Sequence, residues 1–315
     1  MADDSRGRNA KWPTKIPKSG WKDILLRIKD NIGKDNVSVI SAGIAFFFFL
    51  AVFPAIGAMV AIYGLVSDPI EIREHLATLA VVLPPEALAI LQDQLTRVAE
   101  SGESVLSFGV FFGIALAVWS SSKGIKALIK GLNVVYKEKD GRNFIKFNAV
   151  AYSITFCAIL FALLSLAAIV AFPAFVSMVV LSDFAKTISS ILRWPLLAIF
   201  VMLGLALLYR YAPHREHAKF RWVSWGSFIA TVLWIVISVL FSFYVAKSGK
   251  FNETYGSLGA VIILQMWFYM TAFAVLLGGE FNSEIEHQTR IDSTVDPPRP
   301  MGDRGAYVAD TVGEK

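Results

Sequence analysis

The sequence predicts an all-α fold, a polytopic membrane protein with six transmembrane helices. Apolar residues make up 55% of the 315 positions and charged residues only 17%, a balance outside the soluble globular range. The charges cluster between long apolar runs. Six of those runs approach or reach the roughly 20 residues that a helix rising about 1.5 Å per residue needs to cross a hydrocarbon core of about 30 Å. They fall at about 38–66, 105–122, 148–172, 191–211, 223–246 and 258–280. The runs are continuously apolar rather than alternating, which selects helices over barrel strands.

Residues 1–36 form a basic N-terminal segment with nine Lys/Arg. The first apolar run is too long for a signal peptide and has no small-residue cleavage site, so it reads as a retained span. Within the segment, Trp21, Leu25, Ile28 and Ile32 recur at helical spacing. That pattern predicts an interfacial helix whose bases meet anionic lipid, or a helix packed on the protein's own inner loops. The membrane domain is expected over 37–282. In its first span Pro54 removes a backbone donor, which predicts a kink or local break, while Ser38, Ser41, Ala42 and Ala45 offer a small face for close packing.

The connection 67–104 has Pro85 and Glu86 at a helix start, then Leu88, Leu91, Leu95 and Val98 along one side, and predicts an amphipathic outer helix. The second span should continue past the membrane through Ile125, Leu128, Ile129, Leu132 and Val135 and stop before Asp140-Gly141. Pro195 reads as the first turn of the fourth span, and Pro213 as its terminator. From 283 onward the chain is polar, with Pro297, Pro298 and Pro300 and no periodic apolar face, which predicts a disordered cytoplasmic tail over 283–315.

Orientation follows from the distribution of Lys/Arg. The loop 123–146 has seven and the loop 210–221 has four, whereas 67–104 has two against seven Asp/Glu. Both termini are therefore expected in the cytoplasm. The net charge of +5 reads as a topology signal rather than a nucleic-acid surface, so no nucleic-acid partner is expected.

Catalytic signatures are sparse. Cys157 is the single cysteine, and His214 and His217 are an isolated pair without further metal-ligand spacing. No phosphate-binding glycine loop or nucleophile elbow occurs. The sequence therefore predicts no catalytic residue, metal or cofactor. The remaining candidates are polar groups near or inside the spans, where burial is costly and a partner is needed. Glu280 leads them. Counted from Leu258 it lies roughly 33 Å along its helix, near the inner boundary, within reach of water or of a base such as Arg210, Arg221 or Arg142. Gln265, Thr271, Ser238 and Ser242 lie deeper and read as helix-to-helix hydrogen-bonding groups.

Several of these residues also carry a family resemblance. Ser224–Asn282, with "YGSLGA" and "GGEFN", resembles the end of the YihY/BrkB family, formerly labelled ribonuclease BN. "SAGIAFFFFLAVFPA", "VWSSSKGIKALIKGLNVVY" and "LYRYAPHRE" match it in order, so that the resemblance covers about 30–285. Pro54, Trp119, Asn133, Tyr136, Pro213, Asn252, Tyr255, Gly256, Gly259, Trp267, Glu280 and Asn282 stand at motif positions, with "GGE" where Gly-Ala-Glu is commoner. The resemblance implies a six-helix protein of the bacterial inner membrane. Together these features lead to the expectation of a transporter or lipid-handling permease without ATP hydrolysis. A non-transporting scaffold in envelope assembly is the alternative, and a membrane-associated ribonuclease is disfavoured. Expected partners are membrane lipids, anionic at the cytoplasmic face, with a homo-oligomer or an envelope protein also open.

Overall fold

The computed structural model describes residues 4–66, 103–179, 183–247, 257–295 and 297–314. They form eight α-helices: α1 (Lys18–Lys34), α2 (Val37–Val66), α3 (Glu103–Val135), α4 (Phe144–Val179), α5 (Asp183–Tyr211), α6 (Phe220–Lys247), α7 (Ser257–Glu286) and the short α8 (Tyr307–Asp310). Helices α2 to α7 are each long and apolar enough to cross a membrane. The expected outer helix within 67–104 lies outside the described residues, as do Asn252, Tyr255 and Gly256.

The bundle turns large apolar side chains outward. Phe111, Phe112, Phe156, Leu163, Ile199, Leu203, Val239, Leu240 and Phe243 are all exposed, which is unfavourable in water and natural against lipid tails. Helix α2 packs along α3, α4 links α3 to α5, and α5 packs on α6. Helix α7 is central, touching α1, α2, α3, α6 and α8. Glycines bring α6 and α7 together: a Cβ at Gly226 would collide with the Gly278 carbonyl oxygen. Tyr209 from α5 donates to the Val275 carbonyl at 2.6 Å, joining a third helix there.

One of the two span prolines departs from the sequence expectation. Helix α2 runs through Pro54 without a break. Helix α5 begins at Asp183, so Pro195 is interior rather than in the first turn. Each proline leaves the carbonyl four residues earlier without its helical donor. Pro213 does follow a helix end, as expected, with α5 closing at Tyr211.

The chain ends and the α3–α4 and α5–α6 connections meet at one end of the bundle, the basic end. Helix α1 lies on α7 and buries Asp23, Ile24 and Ile28, which favours the second sequence reading, a helix packed on its own protein. Leu25 and Leu26 on its outer side are exposed.

The expectation of a disordered tail is corrected. Residues 283–295 and 297–314 fold over the basic end: Ala218 and Thr294 form an antiparallel bridge, and the Lys219 amide donates to the Ser293 carbonyl at 2.8 Å. Arg304 donates to the Arg299, Ala309 and Arg290 carbonyls. The tail meets the N-terminal segment where Arg8 donates to Gly313 at 2.7 Å and Thr289 donates to Ala10 at 2.9 Å. Hydrogen bonds rather than an apolar stripe hold it, so composition alone concealed its order.

Candidate functional site

Helix α7 ends as a run of buried polar residues: Glu280, Asn282, Ser283, Glu284 and Glu286 are all at most 2% exposed. Three carboxylates within seven residues require compensation, because a buried unpaired charge is costly. Two of them have it. Glu286 receives both arms of Arg215, at 2.7 and 3.2 Å, and the Ser293 hydroxyl at 2.7 Å. Glu284 pairs with Arg27 and accepts from Asn31 at 2.8 Å. Arg27 also donates to Gln288 at 2.8 Å, binding α1 to the end of α7.

Glu280 differs from both. It is fully buried, no nitrogen or hydroxyl donor reaches either carboxylate oxygen, and the Asp35 carboxyl lies against it. The charged groups facing it are Asp35, Lys137 and Glu284. Asp35 and Lys137 form an ion pair with each other, partly open to solvent. The bases suggested by the sequence are engaged elsewhere: Arg142 pairs with Asp140 at 2.7 Å, Arg210 stacks over Phe220 and Arg221 over Trp12. Glu280 does not reach solvent because α1 and both terminal segments cover the bundle end that the rise calculation had left open.

Asp35 and Lys137 are positioned by two residues with left-handed backbones. Asn36, at φ 52°, separates α1 from α2, and Lys137 itself has φ 59°. Beyond α3, the Lys137 amide donates to Val134 and the Glu138 amide to Asn133, the 5→2 and 6→1 pair of a Schellman cap. This cap, normally made by glycine, turns the chain so that the lysine amine meets Asp35. The run "GLNVVYKEKDG" lacks a glycine at that position, so nothing in it signals Lys137, and Asp35 reads as a solvated loop acid.

At the same end of the bundle the Tyr136 hydroxyl, the Asn282 side-chain nitrogen and the Ser283 hydroxyl are also buried. The Asn282 side-chain oxygen accepts from the Gly226 amide at 2.7 Å, tying α7 to α6. Asn133 is a clamp: its oxygen accepts from the His214 amide at 2.8 Å and its nitrogen donates to Asp140 at 3.0 Å. Pro213 sits in the turn that this clamp holds, whereas Pro54 lies in mid-helix in α2. His214 and His217 are used in turn contacts, through the Gly141 amide and the Arg210 carbonyl. No group of three metal-ligating side chains occurs among the described residues.

Outside the spans, burial works against Asp140, but the Arg142 hydrogen bonds outweigh it and hold the carboxyl below the usual range. Burial likewise opposes the charge on Arg215, and Glu286 more than restores it.

Six apolar helices around a glycine-packed hub, closed at one end by an ionic cap, define a multi-pass α-helical membrane protein with a buried ionisable centre. The family model described as "Virulence factor BrkB" matches residues 28–301. The chain belongs to that family. It is 28% identical over 259 residues to a putative ribonuclease-like protein YfkH of Bacillus subtilis, covering 80% of this chain and 90% of the relative. It is 25% identical to a UPF0761 membrane protein of Idiomarina loihiensis, covering 74% and 78%, and 24% identical to one of Vibrio parahaemolyticus, covering 83% and 82%. No solved structure matches it.

Proposed function

We propose that the protein is a permease of the bacterial inner membrane, with both termini in the cytoplasm, that moves a lipid or other substrate without hydrolysing ATP. Glu280, Asp35 and Lys137 form its protonatable coupling site. One observation carries the reading: a fully buried carboxylate that no nitrogen or hydroxyl donor reaches lies against the Asp35 carboxyl and faces Lys137, and that acid and base are themselves partly open to solvent. Ionisable groups buried at membrane depth are costly and mark proton or ion routes. The buried Tyr136 hydroxyl, which feels the Glu280 charge, supplies a further polar group at this end of the bundle for water or substrate. The surplus of Lys/Arg at this end supports its cytoplasmic orientation.

The test is reconstitution in vesicles with an imposed proton gradient, following proton uptake and the transfer of fluorescent phosphatidylglycerol between leaflets. Wild-type protein should exceed empty vesicles, and Glu280→Gln should abolish the dependence on the gradient. Wild-type rates equal to those of empty vesicles end the reading.

The folded cap favours a second reading, a scaffold that recruits envelope partners through its basic surface. Cross-linking from Lys126 or Lys146 in cells should then capture one specific protein. In both readings the chain is not an enzyme, and the purified protein should leave RNA uncut with and without divalent metal.

A further inference from the structure

On the outside of the cap, away from Glu280, three separate stretches converge on an open cavity of about 350 Å³. Lys11 and Trp12 come from the N-terminal segment, Lys219 and Arg221 from the start of α6, and Arg290, Asp292, Arg299 and Arg304 from the tail. Six cations thus line a space that holds one carboxylate.

That carboxylate is already committed. Asp292 accepts from the Thr294 amide and hydroxyl at 2.9 and 2.7 Å and from the Arg299 amide at 2.7 Å, with Arg304 at 3.9 Å. Arg304 is committed too, through its three backbone carbonyls. Asp292 and Arg304 therefore build the wall, and the other bases give the cavity its charge. Arg299 has Glu216 at 3.5 Å but is 45% exposed, a contact that solvent weakens. Arg221 lies with its guanidinium carbon 4.6 Å from the Trp12 ring centre, and its buried Nε has no hydrogen-bond partner. A cavity of this size suits a small polar molecule or headgroup, and its charge selects an anion.

The depth of the cavity selects the source of that anion. Arg221 is the second residue of the α6 span, which begins at Phe220. Phe220 and Trp12 are about half exposed, aromatic side chains of the kind that settle at the membrane interface. Trp12, Ile291 and Pro298 add an apolar wall beside the bases, which a free phosphate does not use and the glycerol end of a lipid does.

We propose that this cavity is a binding site for the phosphate headgroup of an anionic glycerophospholipid, which bridges the N-terminal segment, α6 and the tail. The site stands apart from the permease reading, because it is tested by binding without flux.

The experiment is native mass spectrometry of the full chain released from nanodiscs of phosphatidylglycerol and phosphatidylcholine mixed equally. Wild-type protein should retain phosphatidylglycerol selectively. The double variant Lys11→Gln with Arg290→Gln should weaken that retention roughly thirtyfold, given what each base contributes near an anionic surface, while Arg290→Lys keeps most of it. Lys130→Gln with Lys146→Gln, which removes the same charge elsewhere on the basic end, should leave retention unchanged. Unchanged thermal unfolding of each variant separates lost binding from lost folding. Displacement of the lipid by glycerol 3-phosphate or inorganic phosphate overturns the lipid assignment in favour of a soluble phosphate ligand. Equal retention of both lipids, or equal loss in the two double variants, overturns the site.

Discussion

Arg215 and Glu286 meet in a two-point ion pair, at 2.7 and 3.2 Å, with both side chains withdrawn from solvent. It joins the α5–α6 connection to the end of α7, and Arg215 also lies 5.0 Å from the ring centre of Tyr136, the residue that follows α3. Removing one partner strands the other charge in the interior. Glu286→Ala should therefore cost about 3 to 5 kcal/mol, read as a lowered unfolding midpoint in detergent. The paired change Arg215→Met with Glu286→Leu should recover most of that loss, since an apolar pair of similar volume leaves no uncompensated charge. Equal destabilisation by the single and double variants would contradict the account.

The α6–α7 contact makes a second prediction. A methyl group at Gly226 would meet the Gly278 carbonyl and the Asn282 side chain, and one at Gly278 would meet the Tyr209 hydroxyl and Ala230. At Gly226 the nearest obstacle is backbone, which cannot rotate away, so the helices must separate. Gly226→Ala should cost roughly 3 kcal/mol, the upper end for overpacking, and disulfide cross-linking between cysteines introduced on the two helices should slow. An unchanged midpoint and cross-linking rate would show that the contact is looser than drawn here.

How much of this was legible in the sequence depends on the kind of force involved. The six spans were readable because lipid imposes a length and a composition on any helix that crosses it. Glu280 was readable as an exception to that composition, and its position near the helix end came from rise alone. Its neighbours were not. Asp35 and Lys137 are 102 residues apart, and their meeting depends on two left-handed backbone turns that no apolar period records. The tail failed for a related reason. Thr289 and Arg304 hold it through hydrogen bonds to backbone carbonyls, Ser293 through its hydroxyl on Glu286 and its carbonyl on the Lys219 amide, and Thr294 through its bridge to Ala218, so its order lies in pairings across the chain rather than in its own composition. Asn133 was singled out by the motif, but only the fold shows it bridging His214 and Asp140.

The tail should also respond to acid. Burial alone would raise the Asp292 carboxyl, but the Arg299 amide and the Thr294 amide and hydroxyl outweigh it and hold it below the usual range. A depressed folded-state value means that ionised Asp292 favours the docked tail. The contribution is complete above the unfolded value near about pH 3.9 and is lost as pH falls through the lower folded value. The distance between spin labels on the tail and on α1 should therefore lengthen only below about pH 4, and Asp292→Asn should remove this step. A transition confined to neutral pH would assign the docking to other groups.

Lys137 offers a test in which the usual order of two substitutions reverses. Alanine normally outranks glycine near a helix because glycine loses more backbone freedom on folding. At φ 59° the preference inverts, because a Cβ in the left-handed region costs roughly 1 kcal/mol or more and glycine has none. Lys137→Gly and Lys137→Ala both remove the amine that faces Asp35 and Glu280, so the charge loss cancels in their comparison and the backbone term remains. Lys137→Gly should be the more stable of the two by about 1 kcal/mol, and Lys137→Ala, which keeps the Cβ penalty, should fall below wild type because two carboxylates lose their shared cation. If Lys137→Ala proves the more stable, Lys137 does not hold the left-handed cap, and its amine is brought to Asp35 by a different turn.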